Sequence, residues 1–120
     1  MKNKIFDCIT FYQENFLANF RFEVLDEIVD YFVVCESLYD HRGNKKKLNF
    51  KLTNPKFKKK IIYLVFDKPF ISKSDIWRNQ AQQREYIFRG LTSAGPNDYI
   101  MFSDPDEIPR PEILKKLVLT

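Results

Sequence analysis

The sequence has 120 residues, of which 44% are hydrophobic and 16% aromatic; these values exclude a disordered chain and fit one folded domain spanning residues 1–120. No apolar run approaches the roughly 18 residues that a membrane-spanning helix needs, and the N-terminus lacks the small-residue cleavage site of a secretory signal, so we expect a cytoplasmic protein without a membrane segment. The net charge of +4 is concentrated in residues 41–60, which contain nine Lys and Arg residues and no acidic residue.

The first two predicted elements are a strand and an amphipathic helix. Residues 4–12 are rich in β-branched and aromatic side chains, which predicts a buried strand. In residues 16–29 apolar side chains recur every four residues, which predicts a helix with one buried stripe. The predicted stripe consists of Phe16, Phe20, Val24 and Ile28, widened by Leu17 and Leu25. Either Asn15 or Asn19 could supply the cap of this helix.

Two nearly continuous apolar runs follow, at residues 31–37 and 60–67, and they are typical of parallel strands that are covered on both faces. The basic residues 41–60 between them are expected to form a long surface connection. Cys8 and Cys35 each lie inside a strand-like run rather than in a C-x-x-C pair, so we expect two buried free thiols.

The last third of the chain contains a helix, a strand and a second helix. Residues 72–75 have capping-box spacing and Gly90 is a natural terminator, so a helix is predicted over about 75–89. A strand at 98–103 and a helix at 110–119 complete the order. Strands that alternate with helices predict an α/β fold with a mainly parallel sheet flanked by helices.

The fourth predicted strand runs directly into Asp104-Pro105-Asp106. In open α/β sheets, ligands bind beyond the carboxyl ends of the strands. Two carboxylates at positions i and i+2 can hold one divalent cation, which then neutralises a substrate diphosphate. The alternative is an acidic turn that caps the following helix, whose N-terminus favours negative charge.

Four collinear segments carry a resemblance to a known family. The most specific is "SDPDEIPRP" at 103–111; the strand end "VCES" at 34–37, the Gly-x-x-Lys loop at 43–46 and the helix "WRNQAQQREYIFRGL" at 77–91 support it. They resemble the β-1,4-mannosyl-glycoprotein N-acetylglucosaminyltransferases and their microbial relatives, in which the first segment reads S-D-x-D-E-I-P-R-P. The resemblance covers nearly the whole chain.

The resemblance implies the Rossmann-like, donor-binding half of a GT-A type glycosyltransferase. It implies a UDP-sugar donor similar to UDP-N-acetylglucosamine, Mn²⁺ or Mg²⁺ held by Asp104 and Asp106, and inverting transfer to a glycan acceptor. The implied contacts to the nucleotide-sugar come from Asp104 itself and from Glu36, Gln83 and Arg84, although Arg84 could equally be an exposed helix residue. Glu36 would bind ribose or base, and Arg84 the diphosphate.

Members of this family are longer, and the part beyond the D-x-D helix normally builds the acceptor site and carries the candidate base. The catalytic base is therefore expected outside this chain, and we expect a homo-oligomer or a partner chain to cover the exposed sheet edge. A monomer by light scattering would contradict that expectation.

Trp77 is expected to pack as an anchor, and His41, the only histidine, is expected to have a loop role without chemistry.

Three alternatives stay open. A phosphatase of the haloacid dehalogenase type also places D-x-D after an apolar strand, although usually near the N-terminus. A nucleic-acid-binding module could use the basic residues 42–60, with Phe50 and Phe57 for stacking, but this partner is not favoured. A remnant of the donor-binding half could bind nucleotide-sugar without catalysis.

Overall fold

The computed structural model describes residues 3–70 and 75–119, which form an α/β fold around a parallel sheet. The strands are β1 (Ile5–Phe11), β2 (Tyr31–Ser37), β3 (Ile61–Phe66) and β4 (Tyr99–Ser103). Their order in the sheet is β3-β2-β1-β4, and every adjacent pair is parallel. The predicted α/β class, with Rossmann-like parallel strands and flanking helices, is confirmed.

Helices cover both faces of the sheet. They are α1 (Asn15–Leu25), α2 (Ile76–Tyr86) and α3 (Pro111–Leu119), with 3-10 helices at Pro55–Lys60 and Ile87–Gly90. Phe22 of α1 and Leu114 of α3 belong to the larger apolar core, and Ile87 belongs to a second core with Cys8 and Cys35. Within residues 3–70 and 75–119, no helix has the length and apolar character needed to cross a bilayer.

The buried face of α1 differs from the predicted stripe. Phe16 and Phe20 are 80% and 50% exposed, and their rings stack on each other with centroids 6.2 Å apart. The residues of α1 that face the core are Ala18, Arg21, Phe22 and Leu25. The prediction was wrong for Phe16 and Phe20, because the buried face contains an arginine that apolar periodicity does not count. Leu25 and Ile28 are buried as predicted, and Val24 packs against the core. The helix also ends at Leu25, and Ile28 is buried in the turn that follows.

Neither Asn15 nor Asn19 caps α1, because Glu14 occupies the N-cap position. The two asparagines lie one turn apart and bind the basic residues 41–60, hereafter the basic strap. Asn15 Oδ1 accepts from the Lys51 N–H at 2.8 Å, and Asn19 Oδ1 accepts from the Thr53 N–H at 2.8 Å. The predicted surface connection is therefore fastened along one side of α1.

The predicted helix at 75–89 consists of α2 followed by the 3-10 helix at Ile87–Gly90. Asp75 is its N-cap and accepts from the Arg78 N–H at 3.1 Å, whereas residues 72–74 of the predicted capping box lie outside the described residues. Gly90 lacks the positive φ of a helix terminator. A Cβ there would lie 2.8 Å from Val33 Cγ1, so this position needs glycine because the turn presses against the sheet.

Candidate functional site

The carboxyl ends of β1, β2 and β4 open into a cleft of about 540 Å³. The chain passes from β1 to β2 on one side, whereas β4 adds to the other side of β1, so the cleft lies where the strand order reverses. Ligands of α/β sheets bind at such switch points. Tyr12 after β1, Ser37 at the end of β2, and Asp104 and Asp106 after β4 all line the cleft.

Residues 104–107 form a tight turn, hereafter the D-x-D turn. The Glu107 N–H donates to Asp104 O and the Asp104 N–H donates to Glu107 Oε1, both at 2.9 Å. Pro105 is buried, while the side chains of Asp104 and Asp106 are exposed and line the cleft. Residues 107–110 separate both aspartates from the first residue of α3. The helix-capping alternative is therefore wrong, because capping and dipole effects act within the first turn.

A buried ion pair lies beneath this turn. Arg21 and Asp7 are each 1% exposed, and their side chains meet at 2.6 Å and 2.7 Å. Arg21 Nη1 also donates to Glu107 O at 2.6 Å, and Nη2 donates to Ser103 Oγ at 2.6 Å. Sequence reasoning missed both charges. The available signal was an isolated aspartate in the apolar strand "IFDCITF" and an isolated arginine on the core side of α1.

Glu36 does not line the cleft but anchors the basic strap behind it. Its carboxylate is fully buried and accepts from Lys46 Nζ, from the Asn49 and Phe50 N–H groups and from the Tyr63 hydroxyl, at 2.6 to 3.0 Å. Burial and this last hydrogen bond raise the pKa of Tyr63. The strap is thus folded so that Lys46 lines the cleft.

The strap begins with a sharp turn that places His41 and Arg42 at the cleft. Asp40 Oδ1 accepts from the Arg42 and Asn44 N–H groups at 3.0 Å and 2.9 Å, and Gly43 has φ +92°, which favours glycine. Burial opposes ionisation of Asp40, but hydrogen bonds from Asn44 and Arg42 and the charge of Arg42 outweigh it, so the pKa of Asp40 lies below its ordinary value.

Gln83 lines the cleft but is 3% exposed, and its amide binds protein groups. Its Nε2 donates to Cys35 O at 2.9 Å, and its Oε1 lies 2.6 Å from His41 Nε2. Because the amide oxygen only accepts, His41 Nε2 carries the proton in this contact. Gln83 therefore joins the end of β2 to the strap. His41, expected to be a plain loop residue, belongs to the cleft wall, and its lack of a chemical role stays a prediction.

The structure brings Asp104, Asp106 and Gln83 to one cleft and places Arg84 elsewhere. Arg84 is exposed and lies over the Phe102 ring, 4.4 Å from its centroid, so it matches the alternative of an exposed helix residue. Trp77 is 79% exposed, so the expected packing role is wrong: the side of α2 that enters the core carries Gln83 instead.

The two aromatic residues that could stack on nucleic-acid bases, Phe50 and Phe57, pack in or against the core. Phe57 is 2% exposed, and Phe50 packs against the same core and stacks on Tyr63 with ring centroids 5.2 Å apart. Phe57 is therefore not presented to solvent, and the half-buried ring of Phe50 already stacks on Tyr63. This finding disfavours the nucleic-acid-binding alternative, and the exposed lysines of the strap remain as surface charge.

Comparison with known proteins also favours a glycosyltransferase over a nucleic-acid-binding module. A model of glycosyltransferase family 17 matches residues 1–119. The chain belongs to glycosyltransferase family 17. The enzymes named β-1,4-mannosyl-glycoprotein 4-β-N-acetylglucosaminyltransferase of Rattus norvegicus and Homo sapiens are each 31% identical to it over 116 residues, and that of Mus musculus is 30% identical. No solved structure matches the chain.

Each of these three alignments covers 88% of this family 17 chain and 22% of the relative, so the chain spans about a fifth of the length of the curated relatives it matches. The resemblance carried by residues 103–111 is confirmed at the level of the family. Membership favours a transferase over the phosphatase alternative for the D-x-D turn.

Proposed function

We propose that the cleft binds a UDP-sugar, UDP-N-acetylglucosamine, as the donor site of an inverting N-acetylglucosaminyltransferase that acts on a glycan acceptor. The observation that carries the proposal is the meeting of opposite charges in one cleft. Asp104 and Asp106 line it from β4, and Arg42 and Lys46 line it from the basic strap. A metal-bound diphosphate needs both kinds of group, because the cation seeks carboxylates and the phosphates seek cationic side chains.

The D-x-D turn fits a cation that is shared with substrate. Within residues 3–70 and 75–119, no group of three or more His, Cys, Asp or Glu side chains is arranged to hold a metal. Asp104 and Asp106 supply two hard oxygen ligands instead, and Mg²⁺ or Mn²⁺ in phosphate-handling sites is commonly held by one or two carboxylates together with substrate phosphates. When bound, the cation would act as a Lewis acid on the departing diphosphate.

The strap supplies the complementary charge in a fixed position. Lys46 Nζ donates to Glu36 at 2.7 Å and lies 5.6 Å from the centroid of the Tyr12 ring. Arg42 is placed by the Asp40 turn described above, and a guanidinium can bind phosphate with two parallel N–H groups. In this proposal Lys46 and Arg42 bind the diphosphate, Gln83 holds the wall between them and β2, and Glu36 acts on the strap rather than on ribose or base.

Asp104→Asn and Asp106→Asn test the site with the smallest change of shape. We expect titration calorimetry to show Mn²⁺-dependent binding of UDP-N-acetylglucosamine to the wild type, abolished by EDTA. Each variant should weaken binding by about 100-fold or more, because a direct ligand matters at least as much as the outer-shell groups whose loss costs metal sites 10- to 100-fold. Asp67→Asn, an exposed aspartate after β3, is the matched control and should leave affinity unchanged.

The outcomes separate the open alternatives. Binding that ignores Mn²⁺ and both variants would refute the proposed site. Metal-dependent binding would support the donor site with or without transfer, because the catalytic base is expected outside this chain, and transfer to an added N-glycan acceptor would refute the remnant that binds without catalysis. Binding of single-stranded nucleic acid that weakens steeply with salt would favour the basic module instead.

A further inference from the structure

The guanidinium of Arg21 joins Asp7 to the D-x-D turn and the residue before it. Nε and one Nη2 N–H bind the two oxygens of Asp7, at 2.6 Å and 2.7 Å. The other Nη2 N–H reaches Ser103 Oγ at 2.6 Å. Nη1 reaches Glu107 O at 2.6 Å and Asp104 O at 3.3 Å. An arginine has five N–H donors, and each has an acceptor here.

This arrangement is more specific than core packing requires. Replacing a buried ion pair by apolar side chains of similar size is often neutral or stabilising, so stability alone does not call for charges in the layer between α1 and the sheet. Three of the five donors of Arg21 go to residues 103–107, and the two carbonyls bound by Nη1 are those of the first and last residues of the turn. The guanidinium thus fixes both ends of the segment that carries the aspartates.

We propose that Arg21, oriented by Asp7, is the positioning residue of the D-x-D turn. Arg21 is 1% exposed and acts through backbone carbonyls, so the aspartate side chains are left free to project into the cleft. The consequence for the cation rests on the proposed function, whereas the hold on the turn is independent of it. The experiment below therefore measures the two separately.

The Asp7→Leu/Arg21→Met double variant removes the positioning group without leaving a buried charge unpaired. The control is Asp26→Leu/Lys60→Met, a half-buried ion pair of the same kind: Lys60 Nζ bonds the Asp26 carboxylate and the carbonyls of Asp26 and Val29, at 2.7 to 3.0 Å, and none of these groups belongs to the turn. Urea unfolding establishes that both variants fold. Hydrogen exchange by NMR then reports the turn amides without metal, and Mn²⁺ electron paramagnetic resonance in the presence of UDP reports cation affinity.

We expect the Glu107 amide of the double variant to exchange at least about tenfold faster than in the wild type, as for the loss of one good hydrogen bond. Mn²⁺ affinity should fall by about 10- to 100-fold, the effect of losing an outer-shell group. The control should change neither. Unchanged exchange in the turn, or an equal change in the control, would overturn the proposal.

Arg21→Lys serves if the double variant does not fold. Its single ammonium can keep the ion pair with Asp7, but it cannot reach Ser103 and both carbonyls at once, so the same acceleration of exchange is expected. A wild type that binds no Mn²⁺ in the presence of UDP would remove the proposed donor site, while hydrogen exchange would still decide whether Arg21 holds the turn.

Discussion

The basic strap and the D-x-D turn form opposite walls of the cleft, and each is tied to the sheet by a buried carboxylate. Glu36 holds the strap and Asp7 holds the turn, and both lie on the sheet face that packs against α1. The attachments differ. Glu36 binds the strap directly, whereas Asp7 reaches the turn only through Arg21.

The difference follows from what each wall offers. The strap presents donors, the Lys46 ammonium and the N–H groups of Asn49 and Phe50, and a carboxylate can accept all of them. The turn presents carbonyl oxygens, which a carboxylate cannot bind. A guanidinium has only donors, so Arg21 can donate both to the Asp7 carboxylate and to the carbonyl oxygens of the turn. The type of exposed backbone group thus determines whether a wall needs one buried charge or two.

Arg21→Met alone should have the largest effect on stability, because it leaves the Asp7 carboxylate buried without its partner. We expect the free energy of unfolding, measured by urea denaturation, to fall by about 4 kcal/mol. The Asp7→Leu/Arg21→Met double variant should recover most of this loss. A double variant as unstable as Arg21→Met would show that the pair itself stabilises the fold. It would contradict the difference described between the attachments of the strap and of the D-x-D turn.

Glu36→Gln should have a smaller effect. The amide keeps one oxygen acceptor for the strap, but Lys46 loses its buried counter-charge and the new NH₂ group faces donors, so we expect a loss of about 2 kcal/mol in urea denaturation. Faster hydrogen exchange at the Asn49 and Phe50 amides should accompany it. Glu27→Gln, at an exposed position, is the control and should change neither quantity.

If Glu36→Gln lowers the free energy of unfolding as much as Arg21→Met or more, the direct attachment of the strap and the attachment of the turn through Arg21 do not differ as described. Exchange that quickens in the strap and in the D-x-D turn alike would mean that the two walls are one cooperative unit.

The strands could be predicted from the sequence because each is a run of apolar residues with its own bounds, and a D-x-D directly after β4 has to emerge at the carboxyl edge. Asp104 and Asp106 were therefore found in the cleft, whereas Gln83, which also lines it, was named only through the resemblance to the family. Arg21 and Asp7 could not be found in this way. Apolar periodicity treats an isolated charge as a surface residue, and only the partner 14 positions away in sequence makes each burial possible.

The assignments of Glu36 and Arg84 as ligand contacts show a related limit of prediction from sequence. A polar residue at a strand end or on a helix near a site can bind a ligand or a protein group, and sequence spacing does not separate these cases. Glu36 is surrounded by strap donors that are 10 to 14 positions further along the chain, and Arg84 covers the ring of Phe102. Contacts between distant segments decide these roles.

The smallest expected effect concerns Cys8 and Cys35, which adjoin Asp7 and Glu36 in sequence but point to the opposite face of the sheet. Burial raises the pKa of both thiols from 9.0 to about 12, so at pH 8 they remain protonated and shielded. We expect no rapid labelling by a thiol reagent in the wild type or in Glu36→Gln, and two labelled thiols per chain after unfolding in guanidinium. Because both anchors lie on the α1 face, loosening one should leave this second core closed. Rapid labelling of either cysteine in Glu36→Gln would show that the carboxylates hold the sheet itself together, and the two walls would then be consequences of a single core rather than separately anchored parts.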